Sequence, residues 1–463
     1  MSLSQPAQIT LGKKKIFKKC NECHRKRKFL DENHKICRLC YNAKLLFKPS
    51  GNKVIDDFIK HTQINCANYG GKMEFVPYDQ FKDIEFIAEG GFSKIYKATW
   101  VDGPINWRNF KNKFNVSRDN NYAVVLKKLN NSKNFTSKEL NELKVFYQLF
   151  SKRHVYRVSE YFGITQDPIT KEVMIIMPYY NSGDLVHYIC EDFFNINWKT
   201  KLDDLYDISW GLKTIHEQEI IHRDLHSGNI FFSKDIRVVI GDLGISKSAT
   251  ESTDDNENYG IIPYMAPEIF QGQKYTKASD IYSFGMIMWE FMTGRRPFWD
   301  RDHDTELIIE ICDGLRPPIV TNAPEGYIDL MKECWHSDPK KRPLADILSD
   351  RIDVMFKYEK NKIQTTIIKS SDIGPITINN PGAIYKSRPL SGMIRSAMSL
   401  RSSRSRSLNL KIDKRKVEDD SIEDCNDEQN IKRRKLFENE NNEYVTKEFE
   451  FELDLNMNFN QDK

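Results

Sequence analysis

The sequence has 463 residues, of which 39% are hydrophobic and 29% charged, with a formal net charge of +4. This length predicts two to four structural units, and the hydrophobic fraction allows a sizeable core in at least one of them. No run of about 18 apolar residues occurs, so we expect no membrane span, and the first residues lack a secretory signal pattern. Nine cysteines in such a chain are typical of reduced thiols or metal ligands. We therefore expect an intracellular protein, in the cytoplasm with the nucleus as a further compartment.

Residues 1–49 form a basic arm that contains two cysteine pairs, Cys20-x-x-Cys23 and Cys37-x-x-Cys40. Each two-residue gap lets a turn point both sulfurs at one ion, which predicts a tetrahedral Zn²⁺ site in a small zinc knuckle. A unit this short cannot bury a core alone, so the metal would supply its folding energy. The alternative is a disordered basic arm with incidental thiols. The basic flanks fit nucleic acid, an acidic protein or no partner at all.

Residues 50–80 are interpreted as a connector in which positions 54–59 have the apolar spacing of a helix. From position 81 the pattern becomes that of a folded domain. Residues 84–98 predict two strands joined by a glycine turn at Gly90 and Gly91, and residues 122–129 predict a β-branched strand that ends in lysine.

A helical stripe follows, with apolar residues at Leu140, Leu143, Phe146 and Phe150. Residues 174–177 then predict a buried strand, and residues 205–216 a helix that leads into the next motif. Further along, residues 279–290 are apolar on most sides and predict a buried helix.

The stretch Ile221-His222-Arg223-Asp224-Leu225-His226-Ser227-Gly228-Asn229 carries the clearest chemistry in the chain. Asp224 is a carboxylate that can accept a proton, and Asn229, five residues later, is a neutral oxygen donor suited to a hard cation. Thirteen residues beyond, Asp242 in Gly241-Asp242-Leu243-Gly244 can hold the same cation from another loop. Phosphoryl transfer needs this set: a group that orients the attacking hydroxyl and oxygens that fix Mg²⁺ on the phosphates.

In order and spacing, these motifs resemble the catalytic loop and the Asp-Phe-Gly site of protein kinases, with Leu243 in place of Phe. Met265-Ala266-Pro267-Glu268 resembles the end of a protein-kinase activation segment, and Cys334-Trp335-His336-Ser337-Asp338-Pro339 resembles the closing motif of tyrosine-kinase-like kinases. The segment at 50–59 resembles kinases expanded in some early-diverging fungi. The resemblance implies an α+β, two-lobed protein kinase fold over residues 81–358.

The same resemblance implies roles for individual residues in binding ATP and Mg²⁺. Asp224 would orient the substrate hydroxyl, Asn229 and Asp242 would hold Mg²⁺, and Lys127 would pair with the α- and β-phosphates. Glu142, with Glu139 as the competing carboxylate, would hold Lys127 in place. The residues expected to contact or support the nucleotide are Ala88, Gly90, Ser93, Ile95, Lys127, Glu142, Met177 as gatekeeper and Tyr179 in the hinge.

Several positions depart from the family pattern. Ala88 and Ser93 stand at two glycine positions, and His226 stands where serine/threonine kinases usually carry Lys. We expect a serine/threonine kinase that modifies protein substrates in signal transduction. The alternative is a pseudokinase scaffold that binds partners through the zinc knuckle and the tail; a second alternative is a zinc-dependent nucleic-acid binder with an attached kinase.

Residues 359–463 are expected to form a disordered tail, Arg/Ser-rich, then basic, then acidic. Two basic clusters, at 414–416 and 432–435, predict either a bipartite signal for a nuclear import receptor or a patch for an acidic partner. A cluster that only solvates the tail is the simpler interpretation.

Overall fold

The structure is a computed structural model that describes residues 18–65, 71–91, 93–106, 117–130, 132–134, 140–152, 155–233, 237–248, 258–361, 365–376 and 380–417. Two compact units are present, residues 1–405 and 406–463. In the second unit only the helical backbone of residues 406–417 is described.

The N-terminal part of the chain folds around its cysteines. Two short antiparallel pairs, β1 (Lys18–Lys19) with β2 (Lys26–Arg27) and β3 (Phe29–Asp31) with β4 (Ile36–Cys37), precede helix α1 (Arg38–Leu46). Phe29 and Ile36 are buried beside the cysteines. Helix α2 (Lys53–Asn65) confirms the expected helix at 54–59 and buries Ile55 and Ile59.

The first lobe is a six-stranded sheet. Its strands are β5 (Glu74–Phe75), β6 (Phe81–Glu89), β7 (Ser93–Trp100), β8 (Tyr122–Leu129), β9 (Gly163–Gln166) and β10 (Val173–Pro178). They lie in the order β5-β9-β10-β8-β7-β6, and every pair is antiparallel except β5 with β9. Helix α3 (Asn141–Lys152) packs on this sheet through buried Leu143, Phe146 and Phe150. The competing Glu139 lies outside the described residues.

The second lobe is mainly helical, interrupted by short strand pairs. In chain order it contains α4 (Leu185–Asp192), α5 (Trp198–His216), β11 (Ile220–Ile221), β12 (Ile230–Ser233), β13 (Arg237–Ile240), β14 (Lys247–Ser248), β15 (Tyr259–Gly260), α6 (Pro267–Phe270), α7 (Lys277–Thr293), α8 (Thr305–Cys312), α9 (Tyr327–Cys334) and α10 (Ala345–Asn361). From residue 279 to its end α7 is buried on all sides, which confirms the buried helix predicted there. The expected sheet lobe and helical lobe are therefore both present.

The prediction that the whole of 359–463 is disordered is wrong for residues 380–405. Strand β16 (Arg388–Pro389) pairs with β15, and helix α11 (Ser391–Val417) follows it. Leu390, Ile394 and Ala397 are buried against the helical lobe. They recur with helical spacing, a signal that the surrounding Arg and Ser residues obscure. The cluster at 432–435 lies outside the described residues, as do the side chains of 414–416.

Among the described residues, none of the helices combines the length and apolarity needed to cross a bilayer.

A buried ion pair fixes the segment around Glu268 to the end of the helical lobe. Both Arg342 terminal nitrogens donate to the Glu268 carboxylate at 2.7 Å, and the Arg342 side chain also bonds the carbonyls of Ala278 and His336. The Arg342 side chain is fully buried and that of Glu268 nearly so. Removal of one partner would leave an uncompensated buried charge.

We predict that Arg342→Ala lowers the free energy of unfolding by about 3–5 kcal/mol, measured as a fall in the thermal midpoint. Arg351→Ala is the matched control, because Arg351 pairs with Glu333 while both side chains remain partly exposed. Such a pair contributes about 0–1 kcal/mol. Equal losses in the two variants would contradict the importance of the buried pair.

Candidate active site

The Lys127 ammonium group forms ion pairs with carboxylates from both lobes. Its Nζ donates to both carboxylate oxygens of Glu142, at 3.1 and 3.0 Å, and to Oδ1 of Asp242 at 2.6 Å. Lys127 lies on β8, Glu142 on α3, and Asp242 in the loop after β13. The structure therefore brings together three side chains that are separated by up to 115 positions in the sequence.

Burial and charge act in opposite directions at this cluster. Burial alone would lower the pKa of Lys127, but the carboxylates of Asp242 and Glu142 outweigh it and hold that pKa above its ordinary value. Burial would raise the pKa of Asp242, but Lys127 and the Gly244 amide keep it below its usual value. Burial raises the pKa of Glu142, and the Lys127 ammonium opposes that rise. The site therefore contains a fixed ammonium paired with an ionised Asp242.

Tyr161 supports this cluster and was missed by the sequence analysis. Its hydroxyl donates to Glu142 Oε1 at 2.8 Å and accepts from the backbone N–H of Leu243 at 3.3 Å. One buried side chain thus links the helix that carries Glu142 to the loop that carries Asp242. A tyrosine in a short segment before a strand gives no sequence signal of that role.

The loop after β11 is held by a carboxylate beneath it. Asp280 on α7 accepts from the backbone N–H groups of His222 and Arg223, at 2.8 and 2.9 Å. His216 Nε2 lies 2.8 Å from the same carboxylate. These bonds hold Arg223 in a left-handed conformation with φ of 72°. Such a conformation is costly for a residue other than glycine, so the buried α7 fixes the shape of the loop.

Backbone contacts place the two predicted magnesium ligands side by side. The N–H of Gly241 donates to the carbonyl of Asn229 at 2.8 Å, and His222 Nε2 lies 3.0 Å from the Gly241 carbonyl. The Asn229 amide nitrogen donates to the Asp224 carbonyl at 2.9 Å, which leaves the side-chain oxygen as the available ligand. A carboxylate and an amide oxygen in adjacent loops fit the donor preference of Mg²⁺.

Asp224 lies in the same loop, with its side chain mostly buried. His226 Nε2 lies 3.7 Å from Asp224 Oδ2. Burial alone would lower the pKa of His226, but Asp224 outweighs that effect and raises it. His226 Nδ1 accepts from the Gly228 N–H at 3.1 Å, so the other ring nitrogen faces Asp224 with its proton. An imidazole thus occupies the position at which the family pattern has a lysine.

The predicted glycine turn joins β6 to β7 above the lysine. The Gly90 N–H donates to the Ser93 carbonyl at 2.8 Å, and Ala88 pairs with Ile95. Ile95 in turn lies opposite Lys127 in the β7–β8 register. The β6–β7 hairpin therefore covers the Lys127 end of the cleft. It contains the four positions predicted there to contact the nucleotide, Ala88, Gly90, Ser93 and Ile95.

The predicted hinge follows β10, but one of its backbone donors is already engaged. Met177 is buried at the end of that strand. The Tyr179 N–H donates to the Ala123 carbonyl at 3.2 Å, so it faces the sheet and is not available to an adenine ring. An adenine that bonds this backbone must use neighbouring peptide groups, and the contact predicted for Tyr179 as a hinge residue stays a prediction.

The four cysteines of the N-terminal unit converge on one point. Their sulfurs all lie within 4.8 Å of one another, with separations of 3.8 Å for Cys20–Cys40 and Cys23–Cys37 and 3.6 Å for Cys37–Cys40. Four sulfurs placed tetrahedrally at the usual Zn–S distance of about 2.3 Å are about 3.8 Å apart. The cluster thus has the dimensions of a zinc site with four thiolate ligands.

We predict that Tyr161→Phe weakens Mg-ATP binding by roughly 10- to 150-fold, because a hydrogen bond to a charged group contributes about 1.5–3 kcal/mol. The measurement is isothermal titration calorimetry with a non-hydrolysable ATP analogue. Tyr327→Phe is the matched control, since that buried hydroxyl bonds the Met288 carbonyl between α9 and α7 of the helical lobe. Unchanged affinity in the Tyr161 variant would show that its link between Glu142 and Leu243 does not matter for the nucleotide.

Comparisons with known proteins agree with this geometry. The family model for protein tyrosine and serine/threonine kinases matches residues 81–352. A probable serine/threonine-protein kinase of Dictyostelium discoideum is 28% identical over 61% of the chain and 20% of its own length. Stress-activated protein kinase alpha of the same organism is 26% identical over 66% of the chain and 46% of its own length.

A further relative is the serine/threonine/tyrosine-protein kinase HT1 of Arabidopsis thaliana, 32% identical over 40% of the chain and 47% of the relative. The chain thus spans between a fifth and about half of the length of these three relatives. The match to the family model covers more than half of the 463 residues. The chain belongs to the protein kinase family.

Proposed function

We propose that the protein is an active ATP-dependent protein kinase that transfers the γ-phosphate of Mg-ATP to serine or threonine hydroxyls of proteins. The observation that supports this most directly is the Lys127 ammonium, within hydrogen-bond distance of both Glu142 and Asp242. A pseudokinase scaffold has no requirement for that arrangement. Nor does it need Asn229 and Asp242 in adjacent, backbone-bonded loops.

In phosphoryl transfer, Asn229, Asp242 and Lys127 bind the metal and the phosphates, and Asp224 takes the proton. Bound Mg²⁺ neutralises charge on the phosphates and fixes their geometry. Asn229 and Asp242 supply oxygen ligands for it, and Lys127 contributes positive charge to the phosphates from the opposite wall. The Asp224 carboxylate accepts the hydrogen bond of the attacking hydroxyl and takes its proton. Because Asp280 and Tyr161 fix the supporting loops beforehand, little reorganisation is needed when the reaction occurs.

The preference for serine and threonine is supported by the names of the relatives, although HT1 is named for tyrosine as well. His226 stands where the family carries a lysine, and its Nε2–H faces Asp224 Oδ2 at 3.7 Å. We place the protein in the tyrosine-kinase-like group and assign it a role in signal transduction. A nuclear import receptor or acidic partner for the basic clusters stays a prediction.

We further propose that Cys20, Cys23, Cys37 and Cys40 bind one structural Zn²⁺. Support comes from the sulfur separations and from the groups that surround the sulfurs. The Cys37 N–H lies 3.3 Å from Cys20 Sγ, and Arg27 Nη1 lies 3.9 Å from Cys37 Sγ. Donors of this kind stabilise thiolates, the form that binds metal.

We predict that Asp224→Asn lowers kcat by roughly 10²- to 10⁴-fold, the usual contribution of a positioned general base, with little change in the KM for ATP. The assay is transfer of radiolabelled phosphate from Mg-ATP to casein and to the protein itself. Asp329→Asn, on the exposed face of α9, is the control and should retain full activity. Equal transfer by wild type and the Asp224 variant, or transfer by neither, would reject the enzyme in favour of the scaffold.

For the metal we predict one zinc ion per chain by elemental analysis, with loss of that ion in Cys37→Ser. Cys190→Ser should retain it, because Cys190 is exposed on α4 and lies outside the cluster. A strong chelator should also lower the thermal stability of the wild type, since metal binding contributes folding energy. Absence of zinc from the wild type, or equal zinc content in the two variants, would contradict the site.

A further inference from the structure

The segment after the kinase domain returns to the catalytic cleft. Within it, Arg388 and Pro389 of β16 pair with Gly260 and Tyr259 of β15. The Leu390 N–H donates to the Asn258 carbonyl at 2.8 Å, which extends the pairing by one residue. We call residues 380–398 the return segment.

The strand with which the return segment pairs is part of the active site's own wall. It lies between Asp242 and Glu268 in the chain and is followed directly by the turn that contains Tyr264. The Tyr264 hydroxyl lies 3.1 Å from Ser227 Oγ in the catalytic loop and donates to Glu290 at 2.7 Å. A chain that pairs with β15 therefore runs beside the loop that carries Asp224.

Ser387, the residue just before β16, spans from this wall to the opposite lobe. Its carbonyl oxygen lies so close to Gly91 that a Cβ at that glycine would be 2.9 Å away. Gly91 belongs to the glycine turn above Lys127, whereas Arg388, the next residue, pairs with Gly260 on the helical lobe. Ser387 thus crosses the mouth of the cleft between the nucleotide-covering turn and the strand beside the catalytic loop.

The contacts on either side of Ser387 are specific. The Tyr385 hydroxyl donates to the Pro297 carbonyl at 2.9 Å, and the Arg296 guanidinium lies 3.9 Å from the centre of the Tyr385 ring. Burial raises the pKa of Tyr385, and the nearby Glu290 carboxylate adds to that rise. On the other side Arg388 donates to the His303 carbonyl at 2.8 Å, and Leu390 is fully buried.

The hydroxyl of Ser387 has no structural use that the fold reveals. Its oxygen is buried and makes no hydrogen bond within the described part of the chain. Buried hydroxyls nearly always have a partner, so an exception calls for an explanation. Alanine would fill this position equally well if the segment served only to cover the cleft.

We infer that the return segment occupies the groove for acceptor proteins and that Ser387 is the enzyme's own phosphate acceptor. The inference rests on the proposed kinase activity and names its first substrate, a serine in an extended segment of the same chain. A bond forms between Ser387 Oγ and the γ-phosphorus of ATP while the bond from that phosphorus to the β,γ-bridging oxygen breaks. ADP leaves with the electron pair, and the hydroxyl proton passes to the Asp224 carboxylate.

The consequence is that the return segment limits the access of other proteins to the enzyme's own active site. While the return segment lies in the groove, an external chain cannot pair with β15. A phosphate on Ser387 carries up to two negative charges at the mouth of the cleft that contains Asp224 and Asp242. Repulsion from these carboxylates favours release of the segment and opens the groove.

The first arm of the test follows phosphate on the full-length protein after phosphatase treatment and incubation with Mg-ATP. Mass spectrometry should find Ser387 phosphorylated, at a first-order rate constant that does not change over a tenfold range of protein concentration. Ser387→Ala should remove that phosphopeptide, whereas Ser396→Ala, an exposed serine on α11, should leave it in place. No phosphate at Ser387, or a rate constant that rises with protein concentration, overturns the intramolecular assignment.

The second arm measures transfer to added casein. Leu390→Asp, which places a charge in a fully buried position, should raise that rate at least fivefold, and Leu400→Asp, at an exposed position on α11, should leave it unchanged. Arg388→Ala removes the bond to His303 and supplies a second variant if the first does not fold. If wild type transfers phosphate to casein and neither variant does so faster, the inference about the return segment is wrong, but the proposed kinase activity stands. If neither wild type nor any variant transfers phosphate to casein, the inference and the proposed kinase activity are both wrong.

Discussion

The structure depends on the placement of one buried ammonium group between two carboxylates. Burial of Lys127 would be unfavourable alone, since an unpaired charge in the interior is costly. Glu142 and Asp242 compensate that cost at 3.0 and 2.6 Å. These two carboxylates come from different parts of the chain, so their positions must be fixed by the elements that carry them. Much of the fold serves to hold the carboxylates of Glu142 and Asp242 in position.

Each carboxylate has its own support. The helix with Glu142 packs on the sheet and also meets α2, where Phe58 and His61 make edge-to-face contacts with Tyr147. Helix α2 in turn contacts the cysteine unit, through Arg27 Nη1 to the Ile64 carbonyl at 3.3 Å. On the other side, the Asp242 loop is bonded to the catalytic loop, which Asp280 holds from α7. Continuous contacts thus connect the N-terminal cysteine unit, the sheet and the buried helix to the same cluster.

The sequence predicted the residues with chemical function better than those that position them. Asp224, Asn229 and Asp242 stand out because phosphoryl transfer needs their oxygens at that spacing, and Cys20 to Cys40 stand out because paired thiols are rare. Tyr161 was missed because a single aromatic residue has no periodic or motif signal. The bond between Tyr179 and Ala123 depends on which way a peptide group faces, and the return segment depends on a long-range pairing between β15 and β16. Neither property can be derived from local patterns.

The most direct test of the central claim is the dependence of ATP affinity on Mg²⁺ in wild type and in Asp242→Asn. If Asn229, Asp242 and Lys127 surround one metal-bound triphosphate, Mg²⁺ should tighten ATP binding to the wild type at least tenfold. The variant should retain its metal-free affinity for ATP and lose most of that tightening. An equal effect of Mg²⁺ on both proteins would mean that Asp242 does not hold the metal, and would contradict the account.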